Sequence, residues 1–137
     1  MKASILLFIS IFFVTTPNAD ESVFWGQNGH RVTGEIATQH LTKSAKRKID
    51  KLLKGQSLAF VSTFADEIKS DRKYREFSAW HYVNMGLEES YEAAEKNPKG
   101  DLVTAIAKCI SVLKDPNSKE SDKVFYLKML VHFVGDL

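Results

Sequence analysis

A histidine and an aspartate near the end of the chain, His132 and Asp136, form a pair that could bind a metal ion. They are four residues apart in a segment of helical pattern, so both side chains lie on one helix face, a turn apart. Residues 124–134 are mostly apolar, which is typical of a helix in the middle of a bundle. Burying an unpaired neutral polar group costs about 2 to 7 kcal/mol, so the pair needs partners. A divalent cation would supply them, and so would mutual hydrogen bonding together with a nearby backbone group.

Three further segments carry side chains of the same chemistry. Asp66 lies on the apolar side of a predicted helix, although a helix cap or a solvated position would also account for an aspartate there. His81 lies among aromatic and aliphatic neighbours. It could be a metal ligand, or a core histidine that is hydrogen-bonded to a backbone carbonyl. His30 follows a turn with two glycines, which can bring backbone and imidazole close to one point. Imidazole nitrogen and carboxylate oxygen are zinc ligands, so these residues are candidates for a zinc site without sulfur.

The composition indicates a globular protein and limits the kind of metal site. The 137 residues are 44% apolar and 26% charged, which is the balance of one globular domain. The formal net charge of +2 is too small to indicate a nucleic-acid groove or an anionic membrane surface. Cys109 is the single cysteine, which excludes an intramolecular disulfide and cysteine-rich zinc modules. His40, the fourth histidine, has polar neighbours and is predicted to be a surface residue.

Residues 1–24 are predicted to be a secretory signal peptide with a short leader. Lys2 precedes a ten-residue apolar run, residues 5–14, which is too short to span a bilayer and has the length of a signal's apolar region. A buried core helix is the alternative. Ala19 suits the last position before a cut but Pro17 stands where a small residue is wanted, so cleavage is expected between residues 19 and 24. The mature protein is expected to be secreted or periplasmic, with no membrane contact after signal removal.

The rest of the chain reads as a succession of helices, with no alternating run long enough to predict a strand. Thr42 and Asp101 precede two of the helical patterns and are predicted as their N-caps. In the helix after Asp101, Val103, Ile106, Ala107 and Ile110 are predicted to face the core. Residues 82–99 are predicted to be a loop with a short helix. The fold class is all-α, with helices predicted over residues 30–41, 44–53, 58–70, 102–113 and 121–136.

Four motifs occur in order along these helices. They are Trp25-Gly26-x-x-Gly29-His30, Ala65-Asp66-Glu67-Ile68-Lys69, Trp80-His81-Tyr82-Val83-Asn84 and His132-Phe133-Val134-Gly135-Asp136-Leu137. In this order they resemble the zinc-dependent single-strand nucleases and 3′-nucleotidases of the S1/P1 family. The resemblance covers the chain after the export signal and implies the all-α helical bundle that this family shares with bacterial zinc phospholipases C. Residues 25–137 would then be the N-terminal portion of a zinc-dependent nuclease domain, with the bundle incomplete at its C-terminal end.

The resemblance also implies a set of metal ligands. Asp66, His81, His132 and Asp136 would surround one zinc ion, and Asp136 would bridge to a second. The second zinc would also be held by His30 and by the α-amino group and carbonyl of Trp25, which requires cleavage just before Trp25. The family binds up to three zinc ions in a cleft, and its ligands for the third come from later in the chain, so ligands for two are expected here.

The resemblance assigns roles in hydrolysis as well. The family cleaves single-stranded DNA and RNA to 5′-phosphate products, with water activated between two zinc ions. Asp66 would orient the attacking water and Lys69 would meet a phosphate oxygen, although Lys69 could equally be a solvated helix lysine. Tyr82 would stack on a base and Asn84 would bond its edge. A core aromatic is the alternative for Tyr82.

Two other functions remain open at this point. A zinc phospholipase C shares the fold and the ligand types, but Trp25 and His30 are only five residues apart, as in the nucleases. The chain could also bind zinc without catalysing a reaction. The expected partners are single-stranded nucleic acid or nucleotides as substrate, and the protein is expected to be a monomer.

Overall fold

A computed structural model describes residues 26–137, and the predicted signal peptide and Trp25 lie outside that part. Its elements, in chain order, are α1 Gln27–His40, α2 Lys43–Leu53, α3 Leu58–Val61, α4 Phe64–Ile68, a 3-10 helix Arg72–His81, α5 Leu102–Lys114 and α6 Glu120–Asp136. No strand occurs between residues 26 and 137, so the all-α prediction is confirmed. Among those residues, no helix combines the length and apolar character that a membrane crossing requires.

Helix α6 is the centre of the bundle, as its apolar sequence predicts. It packs against all the other elements, from α1 to α5 and the 3-10 helix. On one side Met129 and Phe133 join a core with Ala105 and Cys109 of α5. On another side Leu127 packs with residues of α2 and α3. The C-terminal turns of α6 are therefore held in place from several directions.

The predicted helix over residues 58–70 is interrupted, which divides it into α3 and α4. The interruption contains Ser62, whose hydroxyl donates to the carbonyl of Ala59 at 2.8 Å. Serine hydroxyls compete with the backbone for carbonyl oxygens in this way, and this favours a local break over a continuous helix. Ser62 and Thr63 are both buried at the break, next to the C-terminal half of α6.

The segment between the 3-10 helix and α5 contains turns and no helix, so the short helix predicted within 82–99 is wrong. A turn closes where the N–H of Gly100 donates to the carbonyl of Asn97, and Gly100 has a positive φ of 86°. Pro98 lies inside this turn and lacks an N–H, which prevents a helix there. The predicted N-caps are confirmed: Thr42 accepts from the N–H of Ala45 and Asp101 from that of Thr104.

The face of α5 that packs in the core also differs from the prediction. Leu102, Ala105 and Cys109 are buried and the predicted Ile106 packs against them, whereas the predicted Val103, Ala107 and Ile110 are more than a third exposed. Apolar residues lie on nearly every side of this helix, so their spacing does not single out one face.

A close backbone contact between α1 and α3 sets the position of the first candidate ligand. A Cβ atom at Gly34 would lie 2.8 Å from backbone atoms of Leu58 and Ala59. Only glycine allows the two helices to approach this closely. His30 precedes Gly34 by about one turn on α1, so the contact holds His30 beside the segment that follows α3.

Candidate metal centre

Five predicted ligands from four segments meet at one place. His30 comes from the start of α1, Asp66 from α4, His81 from the end of the 3-10 helix, and His132 and Asp136 from the last turns of α6. Asp136 is the hub: its Oδ2 lies 3.1 Å from both His132 Nε2 and His81 Nδ1, and its Oδ1 lies 3.4 Å from His30 Nε2. Asp66 Oδ1 lies 3.7 Å from His132 Nε2 and 3.9 Å from His81 Nδ1.

The cluster is closed on one side and open on the other. His30 and His132 are 1% and 0% exposed, which places them at the floor of the site. The side chain of Asp66 is 31% exposed, and those of His81 and Asp136 are partly exposed. A small molecule could therefore reach the cluster from the Asp66 and His81 side.

The orientation of His132 is fixed by the backbone carbonyl at the break between α3 and α4. His132 Nδ1 lies 2.7 Å from the carbonyl oxygen of Ser62, which can only accept, so Nδ1 carries the proton. In the neutral ring Nε2 then presents its lone pair to Asp66, His81 and Asp136. Metal-binding histidines commonly have this arrangement, with the second nitrogen held by a carbonyl or carboxylate.

Two buried ring nitrogens of the cluster have no hydrogen-bond partner among the described residues, namely His30 Nδ1 and His81 Nε2. The ring of His30 stacks on that of His132, with centroids 4.0 Å apart. Unpaired buried polar atoms are rare in folded proteins because each costs the free energy of its lost hydration. The other nitrogens of these two rings, His30 Nε2 and His81 Nδ1, lie beside Asp136, and this gathering of imidazole nitrogens and carboxylates is consistent with a metal site.

The described residues contain two sets of three ligand atoms close enough to share an ion. One set is His30, Asp66 and His132, and the other is His81, His132 and Asp136, with all ligand atoms of a set within 4.8 Å of one another. Nitrogen and carboxylate oxygen donors without sulfur suit zinc. His132 belongs to both sets, but only its Nε2 faces the cluster, so it can hold one ion at a time.

The charges of the cluster suit metal binding. Burial would raise the pKa of Asp136, but hydrogen bonds from His132 and His81 outweigh burial and hold that pKa well below its usual range. Burial also opposes ionisation of Asp66, yet Lys69 and the neighbouring imidazoles lower its pKa overall. Both carboxylates are therefore ionised at neutral pH. Burial and the charge of His132 lower the pKa of His30, which favours its neutral, ligating form.

The pKa of His132 is shifted in the opposite direction from that of His30. Burial lowers the pKa of His132, but its hydrogen bond with Asp136 and the charges of Asp136 and Asp66 raise the pKa more. In the absence of a metal ion, the His132 ring therefore binds a proton more readily than an ordinary histidine does. A cation bound between the two carboxylates would displace that proton.

Lys69 lies beside the cluster. Its Nζ contacts Asp66 Oδ1 at 2.7 Å, three residues along the chain, and its side chain is more than half exposed. The predicted pair of Asp66 and Lys69 is thus brought together on the open side of the site. His40 is exposed at the end of α1 and takes no part in the cluster.

Tyr82 and Asn84, the predicted base-binding residues, line a cavity of about 320 Å³. Tyr82 directly follows the cluster residue His81 and is 47% exposed, so it is not a core aromatic. The opposite side of the cavity is formed by the loop that contains Tyr91, whose hydroxyl donates to Asp101 at 2.9 Å. Both residues therefore line a pocket, and Tyr82 is the next residue along the chain after the candidate ligand His81.

The backbone carbonyl of Ser62 also contributes to the cluster, and the sequence does not predict this contribution. It acts through a main-chain atom 70 residues from His132, and no side-chain pattern identifies such a contact.

Residues 25–137 match the model of the S1/P1 Nuclease family, and the chain belongs to that family. The chain is also similar to Endonuclease 4 of Arabidopsis thaliana, with 26% identity over 152 aligned positions that cover all of this chain and 51% of that protein. The chain thus spans about half the length of this curated relative.

Proposed function

We propose that this chain is part of a zinc-dependent endonuclease that hydrolyses phosphodiester bonds of single-stranded DNA and RNA and leaves 5′-phosphate ends. The observation that carries the proposal is the cluster of three imidazoles and two carboxylates, in which a ring nitrogen of each histidine lies within 3.4 Å of Asp136. Membership of the S1/P1 Nuclease family and the similarity to a protein named an endonuclease support the same activity.

The residues that would hold zinc follow from the two ligand sets. One ion would bind His81, His132 and Asp136, with Asp66 nearby, and a second would bind on the His30 side of Asp136. Bound zinc supplies activation of water near neutral pH and stabilisation of negative charge on a phosphoryl group. The chain contributes the positions of the ligands, of which His132 is fixed by the Ser62 carbonyl.

Asp66 and Lys69 are the proposed catalytic residues of this chain. The ionised, partly exposed carboxylate of Asp66 can accept a hydrogen bond from the attacking water and orient it toward phosphorus. The ammonium group of Lys69 lies 2.7 Å from that carboxylate and can turn to a phosphate oxygen that enters from the open side. The pair thus places a hydrogen-bond acceptor and a cation at the entrance to the cluster.

Tyr82 and Asn84 are proposed to bind the base. The half-exposed ring of Tyr82 can stack on any base, which stabilises binding by about 1 to 3 kcal/mol without sequence preference. Asn84 lines the same cavity and can hydrogen-bond a base edge. A base can enter only when it is unpaired and unstacked, which supports preference for single strands.

We further propose that export removes residues 1–24 and leaves residues 25–137 as the mature portion, in which the Trp25 amine completes the second zinc site. The apolar run from residue 5 to residue 14 supports a signal peptide. Mass spectrometry of the exported protein tests this, since any start before Trp25 removes the amine ligand. The proposed protein is a monomer, which size-exclusion chromatography with light scattering tests.

The activity is tested with the purified, zinc-loaded chain on a 5′-labelled single-stranded oligonucleotide, with the Asp66→Ala variant beside it. We expect cleavage products that carry 5′-phosphates, and their loss in the variant and in EDTA. Zinc binding without cleavage would favour the alternative, a non-catalytic zinc-binding fragment. Release of phosphorylated headgroup from lecithin, with no cleavage of the oligonucleotide, would identify a phospholipase C.

A further inference from the structure

Helix α2 presents a row of cations that the cluster does not use. Its outward side and the residue after its end carry six of the chain's 19 basic side chains and only one of its 17 acidic ones. The six are all exposed: Lys43, Lys46, Arg47, Lys48, Lys51 and Lys54. The single acid is Asp50, and the rest of the chain has more acidic than basic residues. The small net charge of the protein therefore conceals a local concentration of positive charge.

These charges are poorly neutralised within the fold. Lys46 lies 4.0 Å from Asp50, and the other five cations of this helix form no ion pair within the described residues. Lys43, Arg47 and Lys51 follow one another at intervals of four, so they form a row with about 6 Å between neighbours. The row from Lys43 to Lys54 extends about 16 Å along the helix.

The helix does not need this charge in order to fold. Its first turn contains Lys43 and Lys46 and no acidic residue, although the N-terminus of a helix favours negative charge by about 0.3 to 1 kcal/mol. Like charges four residues apart destabilise a helix further, by about 0.2 to 0.5 kcal/mol per pair. The helix is held instead by its apolar side, where Leu53 packs with α3 and α6. An electrostatic cost that folding does not explain is typical of a binding surface.

We infer that the outward face of α2 binds the phosphate backbone of single-stranded nucleic acid, outside the cluster where cleavage is proposed. The inference rests on the proposed function and adds a second contact for the same substrate. Charge complementarity supports it, since a row of lysine and arginine side chains is the usual contact for a phosphate backbone. A membrane surface fits less well, because the apolar side of α2 is packed in the core and cannot enter a bilayer.

The position of α2 makes this contact dependent on the length of the substrate. Lys43 follows the end of α1 at His40, and His30 lies about 15 Å from that end along the helix. At about 3.4 Å per stacked nucleotide this distance corresponds to roughly four nucleotides. A dinucleotide can therefore occupy the cluster without contact to α2, whereas a longer strand can reach both.

The test is a variant with Lys43→Gln, Arg47→Gln and Lys51→Gln, and a control with Lys108→Gln, Lys114→Gln and Lys119→Gln, which are exposed lysines elsewhere. Both lose three charges. Binding of a fluorescent single strand of about 30 nucleotides is measured by anisotropy in EDTA, between roughly 50 and 200 mM salt. We expect the α2 variant to bind about tenfold or more weakly at the lower salt, with a salt slope smaller by about 2. The control variant should bind like the original chain.

Thermal unfolding checks the interpretation, because removal of like charges from α2 is expected to keep or raise stability. An α2 variant that binds like the original chain would overturn the inference. Equal weakening of binding in both variants would also overturn it, because binding would then depend on net charge alone. Binding to vesicles of phosphatidylserine that also depends on the α2 lysines, with no such effect on DNA, would assign the face to a membrane. Since binding is measured without metal or turnover, failure of the proposed activity would leave this result unaffected.

Discussion

Gly135 faces the ring of His30 so closely that a Cβ atom at Gly135 would lie 2.6 Å from His30 Nδ1. The ring cannot retreat easily, since it is 1% exposed and stacked on His132. Because residue 135 has no side chain, the candidate ligand His30 can lie in this position. The contact joins α1 to the last turn of α6, directly beside Asp136.

Replacement of Gly135 by alanine is expected to displace His30 and weaken zinc binding. In a helix alanine is normally favoured over glycine by about 1 kcal/mol, so without the clash this substitution would stabilise the protein. We expect a lower unfolding temperature and fewer zinc ions per chain, measured by calorimetry and mass spectrometry. Val134→Ala, at an exposed neighbouring residue, is the control. Higher stability with unchanged zinc content would show that His30 adapts to the added methyl group.

The metal candidates could be predicted from the sequence because their signals are local. His132 and Asp136 share a helix face by their spacing, and Asp66 stands out as a carboxylate among apolar residues. Their convergence is visible only in the structure. Gly135 and the Ser62 carbonyl position the histidines through contacts between distant parts of the backbone, for which a single sequence contains no pattern.

The incorrect predictions also have physical causes. The pattern of α5 predicts a buried face with Val103, Ile106, Ala107 and Ile110. This helix is apolar on most sides, and packing against α6 buries Ala105 and Cys109 and keeps only Ile106 of those four against the core. The break after α3 depends on Ser62, a residue that helices tolerate when its hydroxyl stays in solvent. Packing against α6 thus selects the buried face of α5, whereas a local hydrogen bond of Ser62 favours the break after α3.

Binding of the zinc ion between His81 and Asp136 is expected to depend on His132. Since Nδ1 of His132 is bonded to the Ser62 carbonyl, only Nε2 is free and it can hold one ion, so His132→Ala should remove that ion, whereas His81→Ala leaves the set of His30, Asp66 and His132 to bind it. Zinc bound only by the folded chain stabilises it by about 2.7 kcal/mol at a hundred times its dissociation constant. We therefore expect zinc to raise the unfolding temperature of the original chain and of His81→Ala by more than that of His132→Ala.

The matched control for this comparison is His40→Ala, which removes an exposed histidine outside the cluster. It should bind zinc like the original chain. Circular dichroism of His132→Ala establishes that the helices are still formed. Equal zinc content in His132→Ala and the original chain would show that the metal is bound elsewhere.

Cys109 is expected to be unreactive in the folded protein. Its side chain is 0% exposed in the core between α5 and α6, and burial raises the pKa of the thiol to about 12. Reaction requires the thiolate and access to the sulfur, and the fold denies both. A chromogenic disulfide reagent at pH 8 should modify Cys109 only after unfolding in guanidinium chloride. Rapid modification under native conditions would mean that the core around α5 opens readily.

Stability of the loop beside the Tyr82 cavity is expected to depend on pH through Asp101. Its carboxylate caps α5 at the N–H of Thr104 and also accepts from the hydroxyl of Tyr91. Burial would raise the pKa of Asp101, but these hydrogen bonds outweigh it and lower the pKa below its usual value. A carboxyl group with a lowered pKa in the folded state stabilises the protein above about pH 4, and this contribution is lost as the pH falls further.

Asp101→Asn isolates this contribution, because asparagine is also a good N-cap and carries no charge. In EDTA at pH 6 the original chain should unfold at a higher temperature than the variant, and the difference should shrink toward pH 3. Asp101→Ala removes the cap itself and should cost about 0.5 to 2 kcal/mol at pH 6. A gap between the original chain and Asp101→Asn that stays constant or widens as the pH falls would mean that the carboxylate is not the stabilising form. Tyr91→Phe should reduce the same gap, since it removes one of the donors that favour the ionised carboxylate.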